Sequence, residues 1–98
     1  MPAIVVRYQA KPERAEENQT LIEAVFADLE ARRPEGFSYK VFRLEAGVSF
    51  VHVVVEQDAE DPDSLQDVPA FQAFVAGVAD RCDVAPVATG ATVVGGYR

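Results

Sequence analysis

The chain has 98 residues, a length typical of one domain, and its 49% hydrophobic and 26% charged residues match ordinary globular proteins. A formal net charge of −7 opposes binding to nucleic acid phosphates and to anionic membrane surfaces, so neither partner is expected. The apolar stretch Ala3 to Val6 is too short for a secretion signal, and the one cysteine, Cys82, cannot form an internal disulfide. We therefore expect a single domain over residues 1–98, located in the cytoplasm.

A strand and a long helix are predicted first. Ala3 to Gln9 is a β-branched run that ends before a turn-prone Lys-Pro pair, which indicates a strand. From Glu13 to about Arg33 the spacing of apolar residues is helical, at Leu21, Ile22, Val25, Phe26 and Leu29. Early acidic residues and late arginines suit the helix dipole, and Pro34 and Gly36 end the helix.

A hairpin and an acidic loop follow. Phe37 to Leu44 and Ser49 to Glu56 are aromatic and β-branched segments joined by a short connection that contains glycine, so we expect them to pair antiparallel. Gln57 to Asp67 is acidic and contains Pro62, which predicts a solvated loop with one turn capped by Ser64.

A second helix and a last strand complete the predicted fold. The helix begins near Pro69, its end is marked by Asp83 and Pro86, and its apolar stripe consists of Phe71, Phe74, Val75, Val78 and Cys82. Val87 to Tyr97 predicts the last strand, loosened at its end by two glycines. The resulting order βαββαβ is that of a ferredoxin-like α+β fold.

The predicted sheet has apolar residues on both faces. Right-handed crossovers place both helices on one face of a four-stranded antiparallel sheet and leave the other face open. The third strand nevertheless has Phe50 and Val54 on one face and Val51, Val53 and Val55 on the other. A second copy of the sheet would bury the open face symmetrically, so we expect a homodimer.

Several segments carry a resemblance to a known family. They are the opening IVVRY, Asn18, the break Pro34 to Gly36, the strands FSYKVFRL and SFVHVVVE, and the helix start Val68 to Phe74. With these segments the whole chain resembles the antibiotic biosynthesis monooxygenase-like domains of the dimeric α+β barrel superfamily. The resemblance implies a ferredoxin-like fold paired into a dimeric barrel. Members oxygenate aromatic polyketides or quinols without metal or flavin, others degrade haem, and many have no known activity.

Haem is not expected, because the haem-degrading type needs an axial histidine on or near the second helix. The only histidine, His52, lies in the middle of a strand, and the chain lacks the tryptophan that such pockets use. A metal site is not predicted either, since there is no Cys/His cluster and the acidic loop does not fit a calcium-binding pattern.

Asn18 and His52 are the candidate catalytic residues. Asn18 lies in the middle of the apolar stripe of the first helix, so its amide either makes structural hydrogen bonds or orients a substrate carbonyl or oxygen in a pocket. His52 shares a strand face with Phe50 and Val54, where it is either a structural, hydrogen-bonded histidine or a general base toward a phenol.

Candidate substrate-binding residues surround this pair. Tyr39 and Arg43, with Tyr8 and Tyr97, could bind a phenolic or anionic ligand, or instead lie at sheet edges and at the dimer rim. The aromatic pair Phe71 and Phe74 forms either a ligand wall or core.

The resemblance and these residues together imply two alternative functions. One is a monooxygenase-like protein that works without a cofactor on a small aromatic or quinone-like compound bound between helices and sheet. The alternative is a non-catalytic, dimeric small-molecule-binding or accessory protein.

Overall fold

Four strands and two helices follow one another in the order βαββαβ. The computed structural model describes residues 2–57 and 62–97. The elements are β1 Pro2–Ala10, α1 Ala15–Arg32, β2 Phe37–Arg43, β3 Ser49–Glu56, α2 Pro69–Ala76 and β4 Cys82–Thr92. Short 3-10 turns cover Pro12–Arg14, Leu65–Asp67 and Ala79–Arg81.

The strands form one antiparallel sheet in the order β2-β3-β1-β4. On its helix-covered face, His52 of β3 lies between Val6 of β1 and Val41 of β2, while Tyr8 pairs with Phe50. Because side chains alternate along a strand, this register gathers aromatic and aliphatic side chains under the helices. The ferredoxin-like α+β fold predicted from the sequence is confirmed.

Helix α1 covers the middle of the sheet. Ile22 and Val25 are buried, as the predicted apolar stripe requires. The helix ends at Arg33, whose backbone is left-handed (φ 50°) and whose N–H donates to the Leu29 carbonyl at 2.7 Å. The Asp28 carboxylate accepts from the Ala70 N–H at 3.2 Å, which ties the start of α2 to α1.

The predicted acidic loop is described only in part, because residues 58–61 lie outside the described residues. The predicted turn is confirmed, since the Ser64 hydroxyl accepts from the Gln66 N–H at 3.2 Å. The loop packs tightly on Gly36, whose φ of +104° suits glycine and where an added Cβ would lie 2.6 Å from the Pro62 Cβ.

The predicted ends of the second helix and the last strand are wrong. Helix α2 stops at Ala76 with Gly77 as its cap, and β4 already begins at Cys82, so the thiol is half-buried at a strand start and not on a helix stripe. Pro86 was expected to stop a helix, but it lies inside β4. An edge strand tolerates proline, and the β1–β4 register shifts beside it, between Arg7 and Gln9. The predicted strand residues beyond Thr92 are not in a strand.

The sheet face away from the helices exposes large apolar side chains. Phe42, Val84 and Val87 are 50%, 53% and 62% exposed, and Val51 and Val53 lie between them partly buried. The register shift in β4 matters here, because it puts Val84 and Val87 on the same face although they are three residues apart. Within the described residues, no helix is long and apolar enough to cross a membrane.

Candidate functional site

A cavity of about 200 Å³ lies between the helix-covered face of the sheet and α2. Tyr8, Tyr39 and His52 line it, but their polar atoms bond to one another and are not exposed at its surface. The other lining side chains are apolar, namely Val6, Val54, Phe71, Phe74, Val75, Val78 and Pro86. Small-molecule pockets are concave and mostly apolar, and this cavity shares those two features.

His52 lies between Tyr8 and Tyr39 and is 4% exposed. Its Nε2 lies 2.7 Å from the Tyr8 hydroxyl, and its Nδ1 lies 2.7 Å from the Tyr39 hydroxyl. The imidazole also packs against the Phe74 ring, with ring centroids 5.4 Å apart. Both ring nitrogens are therefore occupied, and the aromatic neighbours fix the ring plane.

Burial keeps the three polar groups neutral at pH 7. Desolvation lowers the pKa of His52 to about 4, because the charged imidazolium is disfavoured away from water. Desolvation also raises the pKa of Tyr8 to about 12 and raises the pKa of Tyr39. The three residues are therefore a neutral imidazole and two intact phenol groups, hydrogen-bonded to one another beside the cavity.

Asn18 is fully buried behind Tyr8 and does not line the cavity. Its amide nitrogen donates to the Tyr8 hydroxyl at 2.9 Å, and its amide oxygen accepts from Arg81 Nε at 3.1 Å. Every buried side-chain nitrogen and oxygen among the described residues has a hydrogen-bond partner. The predicted core-facing amide is thus present and satisfied, and it reaches the cavity only through Tyr8.

Arg81 is a buried charged residue that the sequence reasoning did not identify. It is 3% exposed, donates from an NH2 group to the Phe74 carbonyl at 2.8 Å, and lies 5.1 Å from the Phe74 ring centroid. A charged residue between Asp80 and a cysteine gives no periodic signal of burial. Only the 3-10 turn before β4 turns this side chain inward.

The structure brings together four of the six predicted site residues. His52, Tyr39, Phe71 and Phe74 line the same cavity. Arg43 does not line the cavity; it binds Glu16 at 2.9 Å and packs over the Phe50 ring at 5.6 Å. Tyr97 is 85% exposed near the chain end.

A larger cleft of about 530 Å³ adjoins the cavity. The two share Val6, Val54 and Phe71, and the cleft continues toward Phe37 and the acidic loop at Leu65. A ligand larger than one ring can therefore extend from the His52 cavity into this cleft. Within the part of the chain that the structure describes, no group of His, Cys, Asp and Glu side chains could hold a metal ion.

Comparison with solved structures supports the fold, whereas comparison of sequences finds no match. No protein-family model matches the sequence, and no curated protein matches it. Among solved structures, one titled an antibiotic biosynthesis monooxygenase is 15% identical, with a TM-score of 0.75 over 97% of this chain and 100% of the other. The protein Rv0793 from Mycobacterium tuberculosis is 16% identical, with a TM-score of 0.76 over 99% and 98% of the two chains.

A third similar structure belongs to a protein described as an oxygenase. A mutant of SnoaB, a cofactor-independent oxygenase from Streptomyces nogalater, is 15% identical, with a TM-score of 0.69 over 97% of this chain and 90% of the other. Identities this low establish the fold, and nearly the whole of each chain takes part in the match. The protein therefore has the ferredoxin-like α+β fold of the antibiotic biosynthesis monooxygenase-like proteins.

Proposed function

We propose that the protein binds a small aromatic or quinone-like compound in the His52 cavity and oxygenates it without a metal or organic cofactor. The observation that carries this proposal is the cavity itself, whose surface is entirely apolar and partly aromatic. Such walls suit a flat, apolar ring. The similarity to a cofactor-independent oxygenase supports the same chemistry.

The reaction balances without an external reductant. A phenol and dioxygen give a quinone and water, so one oxygen atom enters the ring as a second carbonyl and the other leaves as water. The substrate supplies all four electrons, and its electron-rich anion reacts with dioxygen directly. The protein then contributes orientation and exclusion of water.

His52 and Asn18 are the residues on which this activity depends. A neutral imidazole at pH 7 is able to accept a proton, but a pKa of about 4 makes it a weak base and tyrosines occupy both nitrogens. The general-base role of His52 therefore stays a prediction. Asn18 is a positioning residue, because it acts on the cavity through Tyr8.

Oxygen consumption with 1-naphthol as the probe tests the proposal. We expect uptake of one dioxygen per quinone formed, reduced at least tenfold in His52→Ala and in Asn18→Ala. Thr20→Ala, on the exposed side of α1, is the matched control and should retain full turnover. Unchanged turnover in both site variants would reject these roles, and no uptake above the protein-free rate would reject the oxygenase function for this substrate class.

Non-catalytic binding is the second candidate function, and the complete hydrogen bonding of His52 is the observation on its side. The two candidates differ in one measurement. A protein that binds 1-naphthol stoichiometrically in a titration but consumes no dioxygen is a binding protein.

We also propose that two copies pair through the open sheet face. Phe42, Val84 and Val87 expose apolar surface there, which a second sheet would bury. Sedimentation at micromolar concentration should show a dimer, and Phe42→Glu should shift it to the monomer, because a charge would be buried unpaired. Thr20→Glu adds the same charge on the helix side and should remain dimeric. A stable monomer of the unaltered chain would refute the pairing.

A further inference from the structure

The His52 cavity offers no hydrogen-bonding atom to a ligand. Its surface is entirely apolar, because the polar atoms of His52, Tyr8 and Tyr39 bond to one another. A polar group that leaves water without finding a partner loses about 5–100-fold in affinity, a loss that a hydrocarbon ring does not incur. The part of a ligand that enters this cavity is therefore expected to be a bare ring.

The adjoining cleft continues from the cavity along the strands. On β3, His52, Val54 and Glu56 alternate onto the helix-covered face, and Val54 borders both the cavity and the cleft. At about 3.3 Å per residue, the path from His52 to Glu56 is about 13 Å long. Since an apolar cavity of roughly 150 Å³ holds one benzene ring, the cavity of about 200 Å³ has room for one ring. The second ring of a fused compound then lies in the cleft.

The cleft differs from the cavity because it has hydrogen-bonding groups at its outer end. Exposed polar side chains line it there, namely Glu56, Gln57, Asp63, Ser64 and Gln66. The Glu56 carboxylate can accept hydrogen bonds, and the Ser64 hydroxyl, which accepts from the Gln66 N–H, has its own proton to donate. A hydroxyl or carbonyl substituent therefore keeps hydrogen bonds in the cleft, to side chains or to water, that it would lose in the cavity.

We propose that the site takes fused aromatic compounds that are polar at one end only, with a bare ring in the His52 cavity and every oxygen substituent in the cleft. This inference rests on the proposed binding function and names its ligand class. It also places the oxygenated carbon in the cleft, because a carbonyl formed inside the cavity would have no partner. For 1-naphthol, the new oxygen enters the ring that already carries the hydroxyl, and His52 shapes the cavity without contacting the substrate oxygen.

Two isomers of dihydroxynaphthalene test the polarity requirement. The 2,3-isomer has both hydroxyls on one ring and leaves the other bare, whereas in the 2,6-isomer either ring that enters the cavity carries a hydroxyl. In calorimetric titrations without oxygen, the 2,3-isomer should bind about 5–100-fold more tightly. The control 6-methyl-2-naphthol has the shape of the 2,6-isomer and should also bind more tightly than that isomer. Equal affinities of the isomers, or a methyl compound as weak as the 2,6-isomer, would overturn the proposal.

The orientation of the ligand can be read from contacts between its protons and methyl groups of the protein. Val78 lines the cavity and not the cleft, whereas Leu65 lines the cleft and not the cavity. In a nuclear Overhauser spectrum of 1-naphthol bound without oxygen, protons of the bare ring should contact the Val78 methyl groups. Protons of the hydroxyl-bearing ring should contact the Leu65 methyl groups. The reverse pattern, or the same contacts from both rings, would overturn the orientation.

A hydroxyl introduced into the cavity should weaken the discrimination between the isomers. Val78→Thr adds a donor and an acceptor to the apolar wall, so the affinity ratio of the 2,3- to the 2,6-isomer should fall about 3–10-fold, the range expected for one hydrogen bond. Val93→Thr makes the same change beyond β4, at a residue that lines neither the cavity nor the cleft, and should leave the ratio unchanged. The same ratio in both variants would overturn the placement of the buried ring in this cavity. Absence of binding by all the naphthalene compounds would instead refute the proposed binding function, and the orientation with it.

Discussion

Lowering the pH from 7 to 4.5 is expected to destabilise the fold through His52. The pKa of this residue is about 4 in the folded protein, against about 6.5 in an unfolded chain. Because the folded value is the lower one, the unfolded state binds more protons, and the contribution of His52 is complete above about pH 6.5 and lost as the pH falls toward 4. At about 1.36 kcal/mol per pH unit, the free energy of unfolding should drop by roughly 2 kcal/mol by pH 4.5.

His52→Gln separates this effect from the many carboxylates of the chain. Glutamine does not titrate and can still exchange hydrogen bonds with both tyrosines. Urea unfolding of both proteins at pH 7 and 4.5 gives the difference in their free energies of unfolding. Between pH 7 and pH 4.5 the unaltered protein should lose roughly 2 kcal/mol more of its free energy of unfolding than His52→Gln does. A difference that stays constant between the two pH values would refute a buried, neutral His52.

Three further substitutions test the packing around the site by urea unfolding at pH 7. Asn18→Leu removes the partner of a buried arginine and of Tyr8, and should lower the free energy of unfolding by about 1–3 kcal/mol; a loss below about 0.5 kcal/mol would contradict the buried network. Gly36→Ala should cost about 1–3 kcal/mol, since its Cβ would collide with Pro62 at a positive φ, and full stability would show that the loop is packed differently. Arg33→Gly should instead stabilise by about 0.5–1 kcal/mol by relieving a left-handed helix cap, and destabilisation would disprove that conformation.

The element order could be predicted from the sequence because local patterns determine it. The β-branched run at β1, the helical spacing in α1 and the glycine-containing hairpin each specify an element without tertiary information. The same reasoning failed between Gly77 and Pro86. There the apolar spacing continued by coincidence to Cys82, and only pairing of Cys82 with Ala10 made this segment a strand.

For a related reason, only some of the residues at the site could be predicted from the sequence. His52 and the aromatic residues could be assigned to one face because strand alternation and helix spacing decide that face. The inward direction of Arg81 and the outward position of Arg43 depend on turns and ion pairs, to which no periodicity applies. The link from Asn18 to the cavity also runs between residues far apart in the chain, so a pattern within one element could not reveal it.

Arg81 comes directly before the last strand, whereas its hydrogen-bond partner Asn18 belongs to the first helix. The hydrogen bond between Arg81 and Asn18 therefore requires the pairing of β4 with β1, because that pairing holds the turn at residues 79–81 in place. A fragment that stops before residue 81 would bury the Asn18 amide oxygen without its donor, which is costly. Pro86 of the same strand lines the cavity, so the complete cavity depends on both ends of the described chain being packed together.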